Sequence, residues 1–138
     1  MNNLKTIFSW MLGSLLLLAV SCQSGPPKNS RAAQSEKGKA FFMSHCASCH
    51  GPNANPDRIA NLKTPPPDLT KIMERRKGLA TFPVAEIASY IDGRKDVQLH
   101  SRDMPAWGKY FADEEKLTND EIKGKMGELI AYLMSIQK

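Results

Sequence analysis

Two cysteines separated by two residues and followed at once by a histidine, Cys46-Ala47-Ser48-Cys49-His50, form a cluster whose spacing dictates a chemistry. Thiols three residues apart on a helical turn can each add to one of the two vinyl groups on one edge of a haem. The residue after the second thiol then lies under the iron as its proximal ligand. Three other chemistries use a cysteine pair. A zinc site needs four ligands, and beyond these three only His45 or His100 could complete one. A redox dithiol of the thioredoxin kind expects a strand before the pair and a βαβ unit after it, whereas the flanks here are helical and rich in loops. A disulfide across so short a loop would constrain little. The pattern favours one covalently held haem c, with its iron, over these.

Haem iron has a sixth position, and its occupant separates electron transfer from chemistry on a small ligand. Met43 lies on the same helix as His50 and cannot reach the opposite face. Met126 and Met134 sit in the last helix, where methionine is usually core filler, and Met73 is flanked by the charged run Glu74-Arg75-Arg76-Lys77. Met104 stands in Ser101-Arg102-Asp103-Met104-Pro105-Ala106-Trp107-Gly108, between two expected helices. Pro105 holds the backbone extended there, so a thioether can be aimed inward. His100, four residues earlier, keeps bis-histidine ligation open. Arg94, Lys95 and Arg102 could face propionates, with solvated charge as the default, and His45 reads as an exposed neighbour of the cysteine pair.

The elements that must position these groups are helical. Residues 36–47 mix Ala40, Phe41 and Met43 with Lys37 and Lys39, as a short amphipathic helix does, and Gly51-Pro52 ends it. Residues 53–68 carry Pro56, Pro65, Pro66 and Pro67 and predict an irregular, stiff loop. A short helical turn is expected over 69–77. Another helix runs from Pro83 to Ile91, capped by Thr81, with Val84, Ile87, Ala88 and Ile91 on one face and Gly93 closing it. Thr118-Asn119-Asp120-Glu121 has the form of a capping box, and Ile122, Met126, Leu129, Ile130, Leu133 and Ile136 follow at helical spacing. No segment alternates like a strand. The expectation is an all-α domain of three to five short helices around one haem, whose apolar body fills the middle of a small core.

Taken together, the CxxCH motif early in the domain, Met104-Pro105 some fifty residues later and a last helix bearing Tyr132-Leu133 resemble the class I cytochrome c family. The likeness covers residues 36–138. It implies a cytochrome c fold, with Met104 as the distal ligand and Gly38 and Phe42 packed against Tyr132. It also implies a carbonyl between Leu62 and Pro67 that accepts the Nδ1 proton of His50, and Trp107 near the haem or in the core. With His50 and Met104 both bound, the iron has no open site. The implied role is a single-electron carrier rather than an enzyme, a monomer meeting redox partners in transient encounters. The alternative is a haem c subunit of a larger dehydrogenase or oxidase complex.

The ends and the charge place the domain. Of the 138 residues, those from Ile7 to Val20 are apolar apart from Ser9, Gly13 and Ser14, and follow Lys5, as in a secretory signal. The run is short for a bilayer span. It ends in Leu18-Ala19-Val20-Ser21-Cys22, which resembles the lipobox of bacterial lipoproteins, with Ala19 where that family prefers Leu. The likeness implies a signal peptide over 1–21 and lipidation of Cys22, anchoring the chain outside the cytoplasm on the periplasmic side of a bacterial membrane. Gln23 after the cysteine, by resemblance to lipoprotein sorting, points to the outer membrane. Ordinary signal cleavage, or a short retained anchor, are the alternatives. Residues 22–35, with Gly25, Pro26, Pro27 and several serines, read as a flexible tether, leaving 36–138 as the domain. The chain has 19 Lys and Arg against 14 Asp and Glu, a modest excess that suits electrostatic steering. No basic stripe interleaved with aromatics supports nucleic-acid binding.

Overall fold

A computed structural model describes residues 27, 29–56, 65–94 and 104–138. Among them every regular element is helical. The order is α1 (Arg31–His45), α2 (Ala47–His50), a 3-10 turn (Leu69–Lys71), α3 (Ile72–Arg75), α4 (Val84–Asp92), α5 (Trp107–Asp113) and α6 (Asn119–Ser135). The fold is all-α, as expected. Cys22, Lys95, His100 and Arg102 lie outside the described residues.

Helix α1 begins five residues earlier than its composition predicts, inside the stretch expected to be tether. Ser30 is the reason: its extended backbone and its Oγ, 3.1 Å from the Ala33 N–H, satisfy one of the amide donors that a helix start leaves open. The chain passes from α1 to α2 through Cys46 with almost no break. The Cys46 N–H still donates to the Phe42 carbonyl, and the His50 N–H donates to that of Cys46. Gly51 ends the run at φ 76°, and a Cβ there would strike the carbonyl of Asn55, so glycine is required. Ala54 also adopts a positive φ, 57°, and is completely buried.

The core forms where α1, α4 and α5 meet α6. Phe42, Ile72, Ile87, Ile91, Trp107, Phe111, Ile122, Met126, Leu129, Tyr132 and Leu133 make one buried cluster. The capping box at the start of α6 is present in both halves: Thr118 Oγ1 accepts from the Glu121 N–H, and Glu121 Oε2 accepts from the Thr118 N–H at 2.8 Å. Helices α1 and α6 approach at Gly38, where an added Cβ would sit 2.5 Å from the carbonyl carbon of Glu128 and 3.0 Å from the Leu129 Cα. One turn on, the rings of Phe42 and Tyr132 are 5.2 Å apart. The expected Phe42–Tyr132 packing is therefore present, and the nearest neighbours of Gly38 across the seam are the backbone of Glu128 and Leu129.

Two expectations fail in detail. Thr81 does not cap α4; Pro83 is its N-cap residue and makes no side-chain capping bond. Ile87 and Ile91 are buried on the predicted face, but Val84 in the first turn is 46% exposed. Helix α5 stands where the sequence reads as loop, because Pro105 and Gly108 disguise it. Its core-facing residues are Trp107 and Phe111, with Tyr110 half-buried beside them.

Candidate functional site

The α1–α2 run sets Cys46, Cys49 and His50 on consecutive helical turns. Both cysteines are free thiols; Cys46 is half-buried and packs against the core, and Cys49 is exposed. Burial, with the Cys49 sulfur adding to it, pushes the Cys46 thiol up to about 12. Cys46 is thus a neutral thiol at ordinary pH, and the reactive thiolate is suppressed there.

His50 is half-buried, and its Nδ1 is enclosed without a well-formed hydrogen bond. The Pro67 carbonyl approaches the ring and favours its protonated form, but burial outweighs it and the imidazole titrates below its ordinary range. Pro67 lies within the segment expected to supply a carbonyl. The peptide after it is well held. Asp68 Oδ1 accepts from the Thr70 N–H at 2.9 Å, and the Leu69 N–H donates to the carbonyl of Ala54, itself tied to Gly51. Arg75 Nη1 donates to the Asp68 carbonyl at 2.6 Å.

Met104 is half-buried and packs against the same core cluster as Cys46. Three residues on, Trp107 anchors an aromatic group. Phe41 meets Trp107 edge-on at 5.7 Å, and Tyr110 meets Trp107 at 5.3 Å. His45 belongs to this group rather than to solvent. Its ring stacks on Phe41 at 4.3 Å, meets Trp107 at 5.5 Å, and its Nδ1 lies 2.6 Å from Ser44 Oγ. A histidine one helical turn from Phe41 can shed part of its hydration onto that ring face, which its sequence neighbours do not show.

Arg94 does not stand as a free cation. It forms a fork with Asp92, at 2.7 and 2.8 Å, whose hydrogen-bonded carboxylate raises its affinity for the proton further, and it reaches Asn119 Oδ1 at 2.9 Å. Gly108 lies beneath this pair: a Cβ there would come within 2.6 Å of Arg94 Nε. The glycine that disguised α5 as a loop is what lets it pass close to the end of α4. Among the described residues no three His, Cys, Asp or Glu side chains converge as ion ligands.

The family model for cytochrome c matches residues 35–137. The chain belongs to the cytochrome c family. No curated protein and no solved structure gives a match. Family and helical fold together point to electron transfer by a non-catalytic carrier, and the cofactor type of the family is haem c. No helix of the described residues in this cytochrome is long and apolar enough to cross a membrane.

Proposed function

We propose that this cytochrome is a monohaem electron carrier, with haem c bound covalently through Cys46 and Cys49 and its iron between His50 and Met104. The observation that carries this reading is the α1–α2 run. It offers two unpaired thiols and, one position further on, an imidazole whose Nδ1 is enclosed beside a backbone carbonyl. That donor set fits the group: thiols for two thioethers, a nitrogen and a thioether sulfur for the axial positions. When bound, the haem supplies a one-electron couple between ferrous and ferric iron.

The chain's own residues do the rest. The Pro67 carbonyl stands beside Nδ1 and would accept its hydrogen bond, leaving Nε2 for the iron and raising its basicity. Met104 would supply the second ligand to the iron and deny that place to small ligands, and a thioether there would favour the ferrous form relative to a second histidine. The apolar cluster of Phe42, Ile91, Trp107, Phe111 and Leu129 excludes water and adds to the same preference. Cys49, exposed, marks the edge where partners approach in short-lived encounters. At the N-terminus, lipidation of Cys22 keeps the domain at a membrane on the periplasmic side, the outer membrane by preference.

The test is a pyridine haemochrome spectrum of the purified protein, with carbon monoxide added to the reduced wild type and to Met104→Ala. Two-thioether haem c, with carbon monoxide binding rapidly to the variant alone, is the expected outcome. Absence of covalent haem, or equal binding to both, refutes the assignment. Growth in labelled palmitate checks Cys22 separately, since an unlabelled chain excludes lipidation.

A further inference from the structure

The C-terminus is tied back to the segment that carries Pro67. Gln137 Nε2 donates to the Leu69 carbonyl at 2.9 Å and to the Leu133 carbonyl at 2.6 Å, and its Oε1 accepts from the Met73 N–H at 3.2 Å. The next residue adds a backbone bond, Lys138 N–H to the Thr70 carbonyl, 3.0 Å. One side chain therefore joins the end of α6 to both sides of the 3-10 turn. The same turn is joined on its other flank to the chain just after His50, through the Leu69 N–H and the Ala54 carbonyl at 2.9 Å.

These bonds fall on four peptide units beyond Pro67, between Asp68 and Met73. A short turn with irregular chain before it has few bonds of its own to fix it, so its position depends on what grips it. Arg75 and the Ala54 carbonyl grip its near end, and the side chain of Gln137, half-buried and so shielded from competing water, adds the tie to α6. The carbonyl that approaches His50 is one residue upstream of the first bonded unit.

We propose that Gln137 is a positioning residue for the proximal side of the haem, holding the Pro67 carbonyl at the His50 imidazole through the Leu69–Met73 segment. The proposal rests on the reading of His50 as the axial ligand. A hydrogen bond from Nδ1–H to a carbonyl raises the basicity of the ligand and so stabilises ferric iron. Loosening the clasp weakens that bond and shifts the couple toward the ferrous form.

The holoprotein tests this with three variants. Gln137→Ala removes all three side-chain bonds. Gln137→Glu keeps an acceptor for the Met73 N–H and loses both donations, which keeps the test open if the alanine variant does not fold. Ser35→Ala is the control: it removes the Ser35–Ser135 bond between α1 and α6, at 3.0 Å, and touches nothing in the Pro67 segment. Two quantities are read, the reduction potential and the solvent exchange of the His50 Nδ1 proton followed by its hyperfine-shifted NMR signal. Either Gln137 variant is expected to shift the ferrous-to-ferric ratio at fixed potential upward by about threefold, modest for a group acting at one remove. At 59 mV per tenfold that is about +28 mV. Proton exchange is expected to quicken by about tenfold, and the control to move neither. Loss of stability without change in potential or exchange makes Gln137 merely structural and overturns the proposal. Equal shifts in the control overturn it as well. If the wild type itself lacks a hyperfine-shifted histidine signal, the axial assignment fails first, and that outcome is visible before any variant is made.

Discussion

Gly38→Ala is the substitution whose cost can be worked most directly from the structure. The new Cβ would lie 2.5 Å from the Glu128 carbonyl carbon and 3.0 Å from the Leu129 Cα, and ordinary contact begins at 3.4 Å. Both obstacles are backbone, so no rotamer change relieves them. The helices must therefore part by about 1 Å, a gap that forfeits a quarter to a half of each dispersion contact across the seam. Phe42, Leu129 and Tyr132 share that seam. Overpacking of this kind costs about 1–3 kcal/mol and more where backbone must move, so a loss of roughly 3 kcal/mol is expected. Helix propensity opposes it, since alanine is favoured over glycine in a helix interior by about 1 kcal/mol. Packing wins by about 2 kcal/mol, which for a domain of roughly one hundred residues lowers Tm by about 10 °C. Gly124 and Gly127 provide the internal comparison, because nothing lies within 4 Å of a Cβ at either. Alanine at those positions is expected to raise stability by about 0.5–1 kcal/mol each. Thermal unfolding of the holoproteins by circular dichroism measures all three. A Gly38→Ala protein as stable as the wild type refutes the close approach of α1 and α6.

Three further outcomes follow from the same geometry. Phe42→Ala empties a fully buried site between α1 and α6 and is expected to cost about 3–5 kcal/mol in denaturant unfolding. Thr118→Ala removes the hydroxyl that receives the Glu121 N–H and should cost about 1 kcal/mol, with no effect on the haem spectrum. The third concerns pH: hydrogen bonds from Thr70 hold the Asp68 carboxyl below the usual carboxylate range. Its stabilisation is then complete above the unfolded value of about 4 and fades as pH falls through the lower folded value. Asp68→Asn should therefore be less stable than the wild type near pH 7, with the difference closing as pH falls below the unfolded value and through the lower folded one when Tm is compared across that range.

What was legible in the sequence was whatever rests on local spacing. A capping box is decided within four residues, and Thr118 to Glu121 forms one. A glycine that must adopt positive φ to end a helix announces itself, as Gly93 does after α4. The cysteine pair and His50 fall on successive turns because their spacing leaves a helix no other choice. What was hidden depends on partners far along the chain. Gly108 looks like a helix breaker until the Asp92–Arg94 pair is seen pressed against it. The early start of α1 is masked by polar composition, although Ser30 is a good cap. His45 resembles any polar neighbour of the motif, yet three aromatic residues from two helices enclose it. Gln137 carries no pattern at all; two of its three bonds are made to residues near both ends of a turn some sixty positions away, and the third to Leu133 in α6.

The two kinds of information bear on different halves of the site. Cys46, Cys49 and His50 sit on the continuation of α1, and α1 is fixed by its seam with α6 at Gly38 and Phe42. Any change that opens the seam moves the whole motif as one body, keeping its internal spacing. Pro67 and Met104 have no such helix beneath them. Pro67 depends on bonds from Ala54 and Gln137 to the segment that follows it, and Met104 on the start of α5, where the Lys109 and Tyr110 N–H groups both donate to the Ala106 carbonyl. Perturbing α1 or α6 should therefore appear mainly as lost stability, because the ligand spacing travels with the helix. If the iron is held as proposed, perturbing the Gln137 clasp or the first turn of α5 should appear mainly in the potential, because each would displace one proposed ligand relative to the other.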